Sequence, residues 1–221
     1  AAPWEDDRVT AKPSIPNVLA GRYASTAMAG VWSPEAKIVM ERRLWLAVAA
    51  AQVDLGVAIP ASAIDGYRAV IGEVDLVSIA ERERVTKHDV KARIEEFNAL
   101  AGYEYVHIGM TSRDLTENVE QLQVREGLIL VRDRCVAALD RLAALAIAYS
   151  DTAITGRSHN VPAQTTTLGK RFASAADELL VAFERLDDLI ERYPLRGIKG
   201  PVGTAQDMLD LVDGDEQRLA Q

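Results

Sequence analysis

The chain has 221 residues, 48% of them hydrophobic and 26% charged, enough apolar material for one large or two small folded units and too much for a disordered or fibrous chain. Its formal net charge is -8, with acids and bases interspersed and no basic block, which argues against nucleic acid or an anionic membrane as partner but leaves room for a small anionic ligand at a locally cationic site. The single cysteine, Cys135, excludes an internal disulfide and a cysteine metal cluster, and is expected as a reduced thiol in a helix.

Ala1 to Pro16 hold three prolines and no periodicity, and are expected to be an irregular arm. Neither a leader peptide nor an apolar run of about 20 residues is recognisable, so a cytoplasmic protein is expected. Ser33-Pro34-Glu35 reads as a helix start, with Ser as N-cap, Pro in the first turn and an early acid. That helix is expected to run to about Leu55 and end at Gly56. Short helices are expected around Ile64–Ile71 and Leu76–Arg84. Thr86 and Asp89 stand at capping-box spacing, which predicts a helix from there to about Ala101, with Gly102 at its end.

Thr111 and Asp114 have the same spacing and open the most regular stretch of the chain. Leu128, Val131, Cys135, Ala138, Leu142, Leu145 and Tyr149 advance in steps of three and four, an apolar stripe along one face of a long helix. A second stripe follows at Phe172, Ala176, Leu179, Phe183, Leu186, Ile190 and Tyr193. Ser150 to Thr167, between them, is rich in Thr, Gly and Pro and is expected to be a connection, since no alternating strand pattern or Asn-Gly hairpin signal stands out. The expected fold is all-α: an irregular arm (1–16), a small N-terminal helical domain (17–111), then the incomplete start of a long-helix bundle (112–221). The two stripes offer more apolar surface than the rest of the chain can cover, so either further chain or other subunits are expected to cover them.

Chemistry concentrates around the three histidines. His88 lies in Thr-Lys-His-Asp-Val, His107 in Tyr-Val-His-Ile-Gly-Met-Thr-Ser, and His159 in Gly-Arg-Ser-His-Asn-Val-Pro-Ala-Gln. Each can transfer protons near neutral pH, although one histidine alone is more often structural. None stands three or four residues from another, so no metal site is expected. Thr111 and Ser112 sit where a helix N-terminus can hold a carboxylate, or the enediolate formed when a proton leaves the carbon beside one. Gly156 to Arg171 combines His159 with hydroxyls, Lys170 and Arg171, a candidate site for anion binding and proton transfer.

These residues carry a resemblance. Gly156-Arg157-Ser158-His159 followed by Pro162-Ala163-Gln164-Thr165-Thr166, with Gly169-Lys170-Arg171 beyond, resembles a signature segment of the adenylosuccinate lyases, a branch of the fumarase/aspartase superfamily. Thr111-Ser112 with Asp114, Lys87-His88-Asp89-Val90, Arg22-Tyr23, and Leu195 to Gly200 with Gly203-Thr204 resemble four further segments of that family, in the same order. Together they cover most of the chain from Arg22 onward, and the His88 segment favours this branch over fumarase or argininosuccinate lyase.

The resemblance implies β-elimination of fumarate, from adenylosuccinate to give AMP and from the succinylated aminoimidazole carboxamide ribotide of purine synthesis, with no cofactor. It implies His159 as general acid and His88 as its assistant at the substrate. Thr111 and Ser112 would bind a carboxylate, while Arg22, Tyr23, Lys87 and Asp89 would hold the nucleotide. Gln206 stands one position from the glutamine that follows Gly-Thr in the family. It also implies a homotetramer with active sites shared among subunits. The family's loop bearing the catalytic serine has no counterpart up to Gln221, so this chain is expected to be the N-terminal portion of such an enzyme and inactive by itself. The alternatives are another fumarate-releasing lyase of the same superfamily, or a non-catalytic helical oligomerisation piece.

Overall fold

The structure, a computed structural model, describes residues 16–220; the expected arm over residues 1–15 lies outside them. A π-helical turn at Leu19–Tyr23 leads into α1 (Thr26–Val31), two elements with no counterpart in the sequence reading. Helix α2 (Pro34–Asp54) begins as its sequence predicts: the Ser33 hydroxyl accepts the Ala36 N–H at 3.1 Å, Pro34 fills the first turn, and Gly56 at φ 84° follows the end. Then come α3 (Ala61–Ala69) and α4 (Leu76–Thr86), the latter capped by Asp75 through the Val77 and Ser78 N–H groups. Helix α5 (Asp89–Ala101) ends at Gly102, in the left-handed region at φ 74°.

The start of α5 departs from the expectation. Thr86 closes α4, Lys87 takes a left-handed conformation at φ 54°, and His88 is the N-cap, its Nδ1 accepting the Lys91 N–H at 3.3 Å. The Thr86 hydroxyl instead bridges the turn, accepting the His88 N–H and donating to the His88 carbonyl. The left-handed Lys87 reverses the chain between two helices, so Thr86 cannot reach the first turn of α5.

Trp45 and Ala49 of α2, Ala63 and Tyr67 of α3, and Val90 and Phe97 of α5 form the core, with the Tyr67 and Phe97 rings 4.7 Å apart. Arg42 is fully buried within it. Its guanidinium donates to the Val70 and Ile71 carbonyls at 2.9 and 3.1 Å, pairs with Glu96 at 2.5 Å and lies over the Phe97 ring. A buried cation is tolerable only when paired and hydrogen-bonded in this way.

Helix α6 (Ser112–Ala148) enters this core with Leu115 and Val119 and then leaves it: no α6 residue beyond Gly127 is buried. Its 37 residues span about 55 Å at 1.5 Å per residue. At the far end β1 (Ala153–Ser158) and β2 (Val161–Thr167) form an antiparallel hairpin, where the sequence reading has a connection. The turn is His159-Asn160, both at positive φ (49° and 62°), the geometry of a two-residue hairpin turn normally carried by Asn-Gly. β-branched Thr155, Val161 and Thr165 to Thr167 suit the strands, and Pro162 is tolerated because a two-stranded ribbon consists of edges.

Helix α7 (Leu168–Glu191) then runs back along α6. The chain crosses itself at buried Gly169, where a Cβ would come within 2.8 Å of the Ser150 backbone and closer still to the Ala146 carbonyl oxygen. The α7 stripe is half-buried from Phe172 to Leu186 and buried at Ile190, while the α6 stripe is half-buried at Leu128, Cys135, Leu142 and Leu145 and exposed at Val131, Ala138 and Tyr149. The paired helices thus cover part of each other's stripes. After α7 the chain returns to the first core: Ile198, Met208 of α8 (Gln206–Leu211) and Leu219 of α9 (Glu216–Leu219) pack against it. The architecture is all-α apart from the one hairpin.

Candidate active site

The base of α6 is built around a buried carboxylate. Asp114 accepts the Thr111 N–H at 3.0 Å, the Lys199 N–H at 2.9 Å and the Gly200 N–H at 3.1 Å, and pairs with Arg196. Burial alone would push its carboxyl up, but the Lys199 and Thr111 N–H groups, the Arg196 guanidinium and the Gly200 N–H outweigh it and hold the group below the usual carboxylate range. Asn118 binds both the N–H and the carbonyl of Gly197, at 2.9 and 3.0 Å. These bonds clasp the 196–200 segment onto the start of α6. Asp114 is thereby spent on structure, and the half-buried Thr111 and Ser112 carry the hydroxyls of the helix N-terminus, that of Thr111 within the capping box.

Facing them is the turn before α5. The Ser112 Oγ lies 3.4 Å from His88 Nε2. Because His88 Nδ1 accepts the Lys91 N–H, the network assigns the ring proton to Nε2, directed at Ser112. Lys87 and Asp89 flank it on the surface. Arg93, one turn along α5, donates to Asp89 at 3.0 Å and pairs through Nε with the fully buried Glu41 of α2 at 2.7 Å. Burial raises the Glu41 carboxyl to about 7, against the pull of Arg93 and Lys37. Behind this cluster His107, at φ 69°, accepts the Trp45 indole N–H at 2.9 Å, and burial lowers its imidazole to about 4. His107 is therefore a neutral acceptor that anchors the loop leading to Thr111.

The α6 N-terminus, the Ser112 hydroxyl and the His88 imidazole N–H meet here, with the exposed Lys87 next to His88 in the chain, an arrangement suited to an anion with several acceptor oxygens. The other predicted residues lie elsewhere. Gln206 opens α8, which packs against Gly109 just before Thr111, but its amide donates to Asp210 at 2.6 Å. Arg22 and Tyr23 stand on the exposed π-helical turn. His159 sits at the tip of the hairpin that follows the far end of α6, whereas Ser112 opens that helix. Below the tip is a cup of about 640 Å³ whose lining is largely polar or basic, with Arg157, Gln164, Thr165, Lys170 and Arg171 beside Gly156 and Ala163. One copy of the chain thus presents two separate polar sites, not one. Sequence reasoning missed Glu41 and Arg93, whose signal is only spatial: α2 and α5 pack so that the two face each other. Among the described residues, no group of three or more His, Cys, Asp or Glu is arranged to hold a metal ion, and no helix is long and apolar enough to cross a membrane.

The solved fumarate lyase from a Mesorhizobium species superposes with a TM-score of 0.74 over 87% of this chain and 46% of that one, at 26% identity. A 3-carboxy-cis,cis-muconate lactonizing enzyme from Pseudomonas putida shares the fold at a TM-score of 0.76 and 23% identity. The family model described as "Lyase" matches residues 21–209, and the chain belongs to that family. It is 32% identical over 207 residues to the adenylosuccinate lyase of Schistosoma mansoni, covering 92% of this chain and 43% of the relative. It is 38% identical over 189 residues to the adenylosuccinate lyase of Methanothermobacter thermautotrophicus, covering 83% and 42%. An N-acetyl-S-(2-succino)cysteine lyase from Enterococcus italicus is 31% identical over 191 residues, covering 85% and 42%. The chain spans less than half the length of these curated relatives.

Proposed function

We propose that the whole protein is an adenylosuccinate lyase, releasing fumarate from adenylosuccinate to give AMP, and from the succinylated aminoimidazole carboxamide ribotide, in a cytoplasmic homotetramer without a cofactor. The observation that carries this reading is the similarity to adenylosuccinate lyases over 92% of the chain, with the His88, Thr111-Ser112 and His159 segments intact. In this reading the barrier is the carbanion that forms beside a carboxylate. Thr111, Ser112 and the α6 N-terminus bind that carboxylate and spread its charge. His88 donates its Nε2–H at the same place, while Lys87, Asp89, Arg22, Tyr23 and Gln206 hold the nucleotide. His159 protonates the leaving nitrogen. Since Ser112 opens α6 and His159 lies on the hairpin beyond its far end in one copy, the reading has His159 reach the Ser112 end of a neighbouring copy.

A second reading is supported by the similarity to N-acetyl-S-(2-succino)cysteine lyases: the same elimination from a succinylated thiol, breaking C–S instead of C–N. Fumarate release by the whole protein separates the two, measured by absorbance with adenylosuccinate and N-acetyl-S-(2-succino)cysteine side by side. Turnover of adenylosuccinate at least tenfold more efficient is the expected result, and preference for the thioether overturns the first reading. His159→Gln should lower kcat by about 10²–10⁴-fold with substrate binding retained. Near-wild-type kcat would remove His159 from the acid role.

A further inference from the structure

The His88 ring stands between two partners that want its Nδ1 in opposite states. The Lys91 N–H donates to it at 3.3 Å and needs the lone pair. The Asp89 carboxylate, with Oδ1 at 3.6 Å, would accept from it and needs a proton there. A shift of a few tenths of an ångström would close that second contact into a hydrogen bond. The choice decides what Nε2 offers to Ser112 3.4 Å away: a proton in the first case, a lone pair in the second.

Asp89 is kept from closing by Arg93. Its Nη2 donates to Asp89 Oδ2 at 3.0 Å, and its Nε lies 2.7 Å from Glu41, an ion pair without hydrogen-bond geometry to a completely buried side chain. The buried charge draws the guanidinium inward and so keeps Nη2 on the Asp89 side of α5. Arg93 is only 13% exposed, whereas Asp89 and His88 are about half exposed, so the anchored end of the chain Glu41–Arg93–Asp89–His88 is the interior one. The Asp89 carboxyl reflects the same hold. Burial pushes it up, but the Val90 N–H and the Arg93 guanidinium outweigh burial and hold it below the usual carboxylate range.

We infer that Arg93, anchored on the buried Glu41, is a positioning residue: by holding Asp89 it keeps His88 in the Nε2–H tautomer, a hydrogen-bond donor toward Ser112 and whatever binds there. Without Arg93, Asp89 swings to Nδ1, the Lys91 cap is lost and Nε2 becomes an acceptor. The tautomer follows from the geometry alone; its catalytic consequence rests on the function proposed above.

The test is the ring-nitrogen spectrum of the ¹⁵N-histidine-labelled whole protein at neutral pH, in which His88→Asn assigns the relevant resonance. The wild type should give an unprotonated Nδ1 and a protonated Nε2 at His88. Arg93→Gln should exchange the two, and adding Asp89→Asn to it should restore the wild-type pattern. Because Arg93→Gln strands a buried carboxylate, Arg93→Gln with Glu41→Gln is measured as well and should show the same exchange. A wild-type ring already protonated on Nδ1, or a folded Arg93 variant with an unchanged His88 pattern, overturns the inference. In the whole protein the exchange should lower kcat at least tenfold more than it changes KM. Exchange of the tautomer with turnover intact leaves the inference standing and counts instead against the role given to His88.

Discussion

Two residues, the buried Glu41 and the half-buried His107, set opposing pH responses. The Glu41 carboxyl rises from 4.5 to about 7, and the His107 imidazole falls from 6.5 to about 4, each chiefly through burial. An acid that binds its proton more tightly when folded contributes stability that is lost as pH rises between its two values. A histidine that binds its proton more weakly when folded contributes stability that grows with pH across its own window. Each slope is about 1.4 kcal/mol per pH unit. The windows, 4.5 to about 7 and about 4 to 6.5, overlap, so the two slopes largely cancel. Glu41→Gln should therefore be progressively stabilised from pH 4 to 6.5, and His107→Gln progressively destabilised from pH 4.5 to 7, as read by urea unfolding across that range. Flat profiles in both variants would contradict the assignment. His88, Thr111 and Ser112 were legible in the sequence because their polar context and helix-start spacing are local. The roles of Glu41, Arg93 and His107 were not, because burial is decided by which helices pack together and leaves no local trace.

At the scale of elements, caps and glycines gave away most of the helices. Ser33 with Pro34, Gly102, and Thr111 with Asp114 each mark a boundary the structure keeps. The β-hairpin was illegible for a specific reason. Its Thr, Gly and Pro content reads as a loop, and its turn uses His-Asn where the usual signal is Asn-Gly. Thr86 misled in the other direction, since capping-box spacing cannot distinguish the end of one helix from the start of the next. Gly169 is the position where hairpin and helices meet with no spare room. Gly169→Ala puts a methyl group against the Ala146 carbonyl and the Ser150 backbone, which cannot move without parting α6 from α7. A loss of roughly 1–3 kcal/mol is expected by denaturant titration, with amide exchange accelerating at the hairpin before the Trp45 core. Wild-type stability in this variant would mean that the crossing is looser than described.

For the whole molecule, the stripes on α6 and α7 were expected to be left for further chain or other subunits, yet they partly cover each other. What remains open is a trough of about 740 Å³ beside their contact line, formed by Val136, Leu139, Ala143 and Ile147 of α6 and Ala173 and Leu180 of α7. Ile147 is 76% exposed and Leu180 43%. Burying such a side chain contributes about 1.5–3 kcal/mol, which favours packing of this face on further copies in the proposed tetramer. Light scattering of the whole protein should give four subunits, and Ala143→Glu with Leu180→Glu should shift the population to smaller species. A monomeric wild type would rule the assembly out. The clasp at the foot of α6 then acquires a mechanical meaning. A rod about 55 Å long turns each degree of tilt at its base into about 1 Å of travel at its far end, from which the hairpin carrying His159 continues. If His159 delivers the proton, as proposed above, misplacement by that distance can cost about 100-fold in rate. In that proposal Asp114, Asn118 and Arg196 work as the bearing of a lever, and their stiffness sets how accurately a remote imidazole can be aimed.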